Sequence, residues 1–218
     1  MPFIWWVSII LAIFSGVAKC ASIHGGTYLA LAGKDSVALI CDSRFSSLRT
    51  GSMMLGSYPR LCYRVGSKCI IGCFGLDSDL YHLVDLLRKK LIDHADDDLQ
   101  PESISRVVSD LLYNNNFLLS PIIIGLTDLC LPYICSMDGL GALTVSDKFA
   151  VTGTASEGLY ALCESLYLPN LDSQDLIVLA EKCFHLGLQR DILSGGDFQI
   201  ITITRGNIFV KDIVKSDV

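Results

Sequence analysis

A chain of 218 residues is long enough for one domain with a sizeable core, or at most two small domains. Hydrophobic residues make up 51% and charged residues 18%, against roughly 25% charged in an average soluble domain. This excludes a disordered chain and implies either a membrane segment or a domain that buries surface against other subunits. The net charge of −6 argues against nonspecific nucleic-acid binding.

Residues 1–21 stand apart. Pro2–Val17 is nearly all apolar and runs into Ala18-Lys19-Cys20-Ala21, in the manner of a signal-peptide core. Met1–Trp6 carries no basic residue, however, and the run falls short of the about 20 apolar residues of a spanning helix. A signal or anchor, an unusual propeptide and an unused upstream start are the three readings. Residues 22–218 form the folded domain.

Within that domain, Gly26–Ala32 and Ser36–Asp42 have strand character and are joined by a turn at Gly33-Lys34-Asp35. The polar, glycine-containing stretch Ser46–Ser57 reads as a loop. Leu61–Val65 and Lys68–Phe74 form a second strand pair around Gly66-Ser67. Asp77 is a plausible N-cap, followed by Leu80, Leu83, Val84, Leu87 and Leu91 at helical spacing, and Asp96-Asp97-Asp98 ends that segment. Pro101 suits a first helical position, Ile104, Val107, Val108, Leu111 and Leu112 repeat behind it, and Asn114-Asn115-Asn116 closes the helix.

Strand character returns at Pro121–Thr127 and Leu131–Met137, across Asp128-Leu129, and Ala142–Val145 with Phe149–Thr152 reads as another hairpin. Helices are expected over Ser156–Leu166 and Asp172–Arg190, then strands over Phe198–Thr204 and Ile208–Val214. Strands, two helices, strands, two helices, two strands is no βαβ alternation. The order fits an α+β fold: two antiparallel sheets packed face to face with helices outside, a four-layer αββα sandwich.

The nine cysteines show no CxxC spacing and sit in apolar runs such as Ser36–Cys41 and Leu61–Cys73. They read as reduced core thiols of a cytosolic protein rather than a disulfide framework. His24, His82, His94 and His185 are scattered, with no pair at metal-ligand spacing. No GxGxxG, P-loop, HExxH or GxSxG occurs, and no cofactor or metal is expected.

One constellation carries information. Gly25-Gly26-Thr27 opens the first strand and Cys41-Asp42-Ser43-Arg44 ends the second. Thr152-Gly153-Thr154 precedes the third helix, and Arg190-Asp191 through Ser194-Gly195-Gly196 leads from the last helix into a strand. With the element order, this resembles the proteasome beta subunits, of the N-terminal-nucleophile hydrolase fold, from Ser22 to the C-terminus. Pro132–Asp138 and Leu162–Tyr167 match the type-3 pattern within that family.

The resemblance implies a threonine-protease framework. Such an enzyme needs a Thr at a freshly exposed chain start, whose own α-amine is the base, with an aspartate and a lysine beside it. Asp42 matches the aspartate, Asp191, Ser194 and Gly195 the supporting loop, and Thr154 the supporting serine. Gly26 stands in the nucleophile position, sixteen residues before Asp42, and Arg60 in the lysine position. Arginine stays charged and does not replace a lysine of tunable charge. Thr27 falls one residue late, which points it to the opposite face of the strand. Asp42, Asp191 and Ser194 are then a retained framework that satisfies turn backbone groups.

The expected function is a non-catalytic, structural beta-ring subunit supporting ATP- and ubiquitin-dependent degradation. The implied partners are other beta subunits (type-2 and type-4 as ring neighbours), the alpha ring and the opposite beta ring, in cytoplasm and nucleus, with neither nucleic acid nor membrane. Cys135 and Asp138 are candidates for a neighbouring subunit's substrate pocket, although Asp138 before Gly139 also suits a turn. The alternatives are a catalytic peptidase using Thr27 and a membrane-anchored or secreted protein resting on Phe3–Val17.

Overall fold

Two central strands of this chain are apolar at consecutive positions rather than alternately, because a layer covers each of their faces. TYLALA in β1 (Thr27–Ala32) and SVALICD in β2 (Ser36–Asp42) are buried at every residue. The computed structural model describes residues 26–47, 53–57, 62–92 and 99–214. The remaining strands are β3 (Arg44–Ser47), β4 (Met53–Ser57), β5 (Cys62–Val65), β6 (Cys69–Gly75), β7 (Leu119–Leu126), β8 (Pro132–Met137), β9 (Leu143–Ser146), β10 (Phe149–Gly153), β11 (Phe198–Thr204) and β12 (Asn207–Ile213). The helices are α1 (Asp77–Leu91), α2 (Pro101–Asn115), α3 (Ser156–Leu166) and α4 (Ser173–Leu188).

Two five-stranded sheets form, ordered β10-β1-β2-β11-β12 and β5-β6-β7-β8-β9, and every pairing is antiparallel. Tyr28, Ala30, Leu39, Ile122, Ile124 and Ile134 are among the side chains filling the space between the sheets. The outer face of the first sheet, through Leu29, Leu31 and Ile40, packs on Leu159 of α3 and Leu176 and Phe184 of α4. The outer face of the second, through Ile71, Ile123 and Cys135, packs on Leu83 of α1 and Ile104 and Val108 of α2. The four layers are therefore helix, sheet, sheet, helix, as the element order implies.

Three local expectations change. The stretch expected as a loop over Ser46–Ser57 contributes to a two-stranded hairpin, β3–β4, with a bulge between Phe45 and Ser46. Its serines and glycines hide strand character because the pairing is made by backbone groups. The expected hairpin of Ala142–Val145 with Phe149–Thr152 is instead a crossover: β9 pairs with β8 and β10 with β1, in different sheets. Ser146 Oγ accepts from the amides of Lys148 and Phe149 at this corner, a turn-stabilising role typical of serine. Asp77 is the first helical residue rather than the cap, which is Leu76. There its charge favours the positive end of the helix dipole.

Other boundaries hold. Pro101 opens α2, and Asn116 ends it in the left-handed conformation at φ 49°. Asp172 caps α4, accepting from the amides of Gln174 and Asp175. Eight cysteines lie among the described residues and none is in a disulfide. Among the described residues no helix is long and apolar enough to cross a membrane. Phe3–Val17, Asp96–Asp98 and Arg60 lie outside the described residues.

Ile122 is fully buried between the sheets. Ile122→Ala should destabilise the domain by about 2–5 kcal/mol, read as a lowered denaturation midpoint with an unchanged slope.

Candidate functional site

The residues singled out by the constellation meet at one end of the first sheet, where β1 begins, β2 and β10 end, and the loop after α4 returns toward β11. Backbone geometry requires glycine here. Gly26 has φ 150° and Gly153 has φ 114°, conformations that side chains with a Cβ rarely adopt. A Cβ on Gly153 would collide with the Gly26 carbonyl and lie 2.6 Å from Thr27 Cα. Its absence lets the start of β1 lie against the end of β10, with the Thr154 amide donating to the Gly26 carbonyl at 3.1 Å.

Asp42 joins three segments. It is 1% exposed. Its Oδ1 accepts the Thr27 amide at 2.9 Å and its Oδ2 the Gly195 amide at 2.7 Å. The same loop is held to the start of β3, where the Arg44 amide donates to the Gly195 carbonyl at 3.1 Å. The Ser43 amide donates to the Asp197 carbonyl at 2.8 Å.

A second set of bonds is a chain of hydroxyls. Thr27 Oγ1 lies 2.7 Å from Ser194 Oγ, and Ser194 Oγ lies 2.6 Å from Thr154 Oγ1. Thr154 Oγ1 bonds Asp191 Oδ2, while Asp191 Oδ1 accepts the Leu193 amide at 2.9 Å. An ionised carboxylate only accepts and each hydroxyl has one proton, so the direction is fixed from the Asp191 end. Thr154 donates to Asp191, Ser194 donates to Thr154, and Thr27 donates to Ser194. Thr27 Oγ1 in turn accepts the Ala155 amide at 3.1 Å. The Thr27 hydroxyl is thus engaged both as donor and as acceptor, and the residue is fully buried.

This geometry refines the reading from sequence. Thr27, Leu29 and Leu31 share the face of β1 turned to α3 and α4, whereas Tyr28 and Ala30 face the second sheet. The expectation that Thr27 stands apart from the framework is corrected: its hydroxyl is the terminal member of the chain through Ser194 and Thr154 to Asp191. The Ala155 amide was not legible as part of this set, since no side-chain motif marks it. The glycine inside Thr152-Gly153-Thr154 was the available signal.

The two neighbour-pocket candidates separate. Cys135 is fully buried beneath the helices of the second sheet, and burial pushes its thiol up. Side chains alternate along β8, and position 135 falls on the face covered by α1 and α2, so its sulfur does not present at the surface. Asp138 is exposed. Its Oδ1 accepts the amides of Leu140 and Ala142, both at 2.9 Å, closing the turn that leads to β9. Among the described residues no group of three or more His, Cys, Asp or Glu side chains could hold a metal ion.

A four-layer αββα sandwich with an aspartate-anchored strand start defines the class as the N-terminal-nucleophile hydrolase fold. The family follows from comparison with known proteins. The model of the family described as "Proteasome subunit" matches residues 23–203. The "Probable proteasome subunit beta type-3" of Schizosaccharomyces pombe is 32% identical over 199 residues, 88% of this chain and 95% of that protein. "Proteasome subunit beta type-3-A" of Arabidopsis thaliana is 34% identical over 83% of this chain and 91% of its own length. "Proteasome subunit beta type-3" of Saccharomyces cerevisiae is 32% identical over 89% and 96%. The chain belongs to the proteasome subunit family.

Thr27→Val removes the hydroxyl at nearly constant volume and leaves the Ala155 amide and Ser194 without that partner. A loss of about 1–3 kcal/mol follows, visible as a lowered melting temperature, while Thr27→Ser should recover most of it.

Proposed function

We propose that this chain is a structural, non-catalytic subunit of the proteasome beta ring. The observation that carries this reading is the state of residues 26 and 27. Glycine, with no hydroxyl to attack a peptide, occupies the position sixteen residues before Asp42, at φ 150°. The nearest threonine hydroxyl is buried, donates to Ser194 and accepts from Ala155. For Thr27 to act as nucleophile its hydroxyl would have to give up these bonds.

Large apolar side chains on the surface support assembly with other subunits. Phe209 and Val210 are more than half exposed on the edge strand β12, as is Val145 on the edge strand β9. An edge strand with exposed apolar residues invites association unless a partner covers it. The partners in this reading are type-2 and type-4 beta subunits within the ring, the alpha ring, and the opposite beta ring. The assembled particle would work in cytoplasm and nucleus, in ubiquitin-dependent degradation.

A finer part of the reading concerns Asp138. With Cys135 buried, Asp138 is the candidate that can face a neighbouring subunit's substrate pocket, since one of its oxygens holds the turn and the side chain is exposed. A carboxylate there would favour basic substrate side chains.

Incubating the assembled particle with a threonine-directed covalent inhibitor tests the central reading. Adducts are expected on other subunits and none on this chain; an adduct on Thr27, with a mature chain beginning there, overturns it. Asp138→Asn should weaken cleavage after basic residues selectively, by a few-fold and more at low salt, with the other peptidase activities unchanged. An unaltered cleavage profile in a normally assembled particle would leave Asp138 as a turn residue.

A further inference from the structure

Two cysteines approach each other across the space between the sheets. Cys41 of β2 stands opposite Tyr28 of β1 and belongs to the core between the sheets. Cys62 begins β5, the edge strand of the other sheet, and stands opposite Gly72 of β6. It is partly exposed and packs against the same layer. Cross-strand partners share a face, and the missing Cβ of Gly72 would lie 2.7 and 2.8 Å from Tyr28 Cδ1 and Cε1. The glycine admits the Tyr28 ring and lets the sheets close in at this point. The two sulfurs, both thiols, lie 3.8 Å apart.

We propose that Cys41 and Cys62 are a peroxide-sensitive dithiol that oxidises to an intrachain disulfide, stapling the two sheets beside the residue 26–27 corner. Cys62, the accessible member, reacts first. Its thiolate attacks a hydroperoxide oxygen, an S–O bond forms, the O–O bond breaks, and the second oxygen leaves as water or alcohol with a proton. The product is a sulfenic acid on Cys62. The Cys41 sulfur then attacks the Cys62 sulfur: the S–S bond forms, the S–O bond breaks, and hydroxide takes the Cys41 proton and leaves as water. Two thiols lose two electrons and one peroxide is reduced. A small-molecule dithiol reverses the change by exchange.

Closure from 3.8 Å to the roughly 2.05 Å of a disulfide requires movement of both sulfurs. The edge strand β5, paired on one side only, can supply it. Among the described residues, the other thiols lack this combination of proximity and access. Cys73 lies on the opposite face of β6, toward α1 and α2, and burial pushes its thiol well above the ordinary range. Cys163 and Cys183 are both fully buried in the layer of α3 and α4.

The test treats the full chain in its native assembly with hydrogen peroxide, alkylates the remaining thiols, and maps peptides without reduction. The expected product is a linked pair of peptides carrying Cys41 and Cys62, two hydrogens lighter than their sum, which dithiothreitol separates. Cys62→Ser should abolish the link and leave Cys41 open to alkylation after denaturation. Cys41→Ser should leave a Cys62 sulfenic acid that dimedone traps. Recovery of both residues as alkylated thiols from the peroxide-treated protein overturns the proposal, as does a Cys62–Cys73 link or a link between chains.

Discussion

One buried carboxylate sets the geometry on which the rest of this corner depends. Asp42 is 1% exposed, and a polar group is tolerated at such depth only where hydrogen bonds replace the water it has lost. It receives the amides of Thr27 and Gly195, and so joins β2 to the start of β1 and to the loop beyond α4. Thr27 is the first residue of β1, so this bond also pins the strand's register. Side chains alternate, and a slip of one residue would exchange the two faces. Tyr28 and Ala30 would then turn to the helices, and Leu29 and Leu31 into the space between the sheets.

The register of β1 propagates through the sandwich. With Tyr28 facing inward, its ring needs room, and Gly72 on the facing sheet provides it. With Thr27 facing outward, its hydroxyl meets Ser194 and the Ala155 amide at the start of α3. Gly153 permits both, because any side chain there would strike the Gly26–Thr27 backbone. Asp42, Gly72 and Gly153 thus constrain one another through a single six-residue strand. Local sequence choices that agree in this way define one native arrangement.

The layered architecture was legible because its signals are local and repeated. The apolar stripes of α1 and α2, the initial proline of α2 and the strand–helix order each pointed to the observed sandwich. The β9–β10 crossover was not legible, since adjacent strands separated by a short polar turn read as a hairpin whichever sheet each one joins. The β3–β4 pair was hidden by serines and glycines whose backbone makes the ladder. At the site, Asp42, Thr154, Asp191 and Ser194 could be named from the family resemblance. Their mutual bonding could not, because it spans 153 positions between Asp42 and Gly195 and 167 between Thr27 and Ser194. The alternation rule did not reveal that Thr27 meets Ser194 and the Ala155 amide, which depends on where α3 begins.

The hydroxyl chain also explains why these side chains depend on one another. Each hydroxyl donates to the next member and accepts from another neighbour, and the chain ends on a carboxylate that can only accept. Removing a single hydroxyl strands its neighbours in a low-dielectric setting, where an unmet polar group costs more than an isolated hydrogen bond contributes. Thr27 and Ser194 are buried, so water is poorly placed to repair such a loss. Asp42 is under the same constraint, since its removal would leave the Thr27 and Gly195 amides without their acceptor. The set is therefore held together by its own hydrogen bonds, and Gly26 adds no side-chain bond to it.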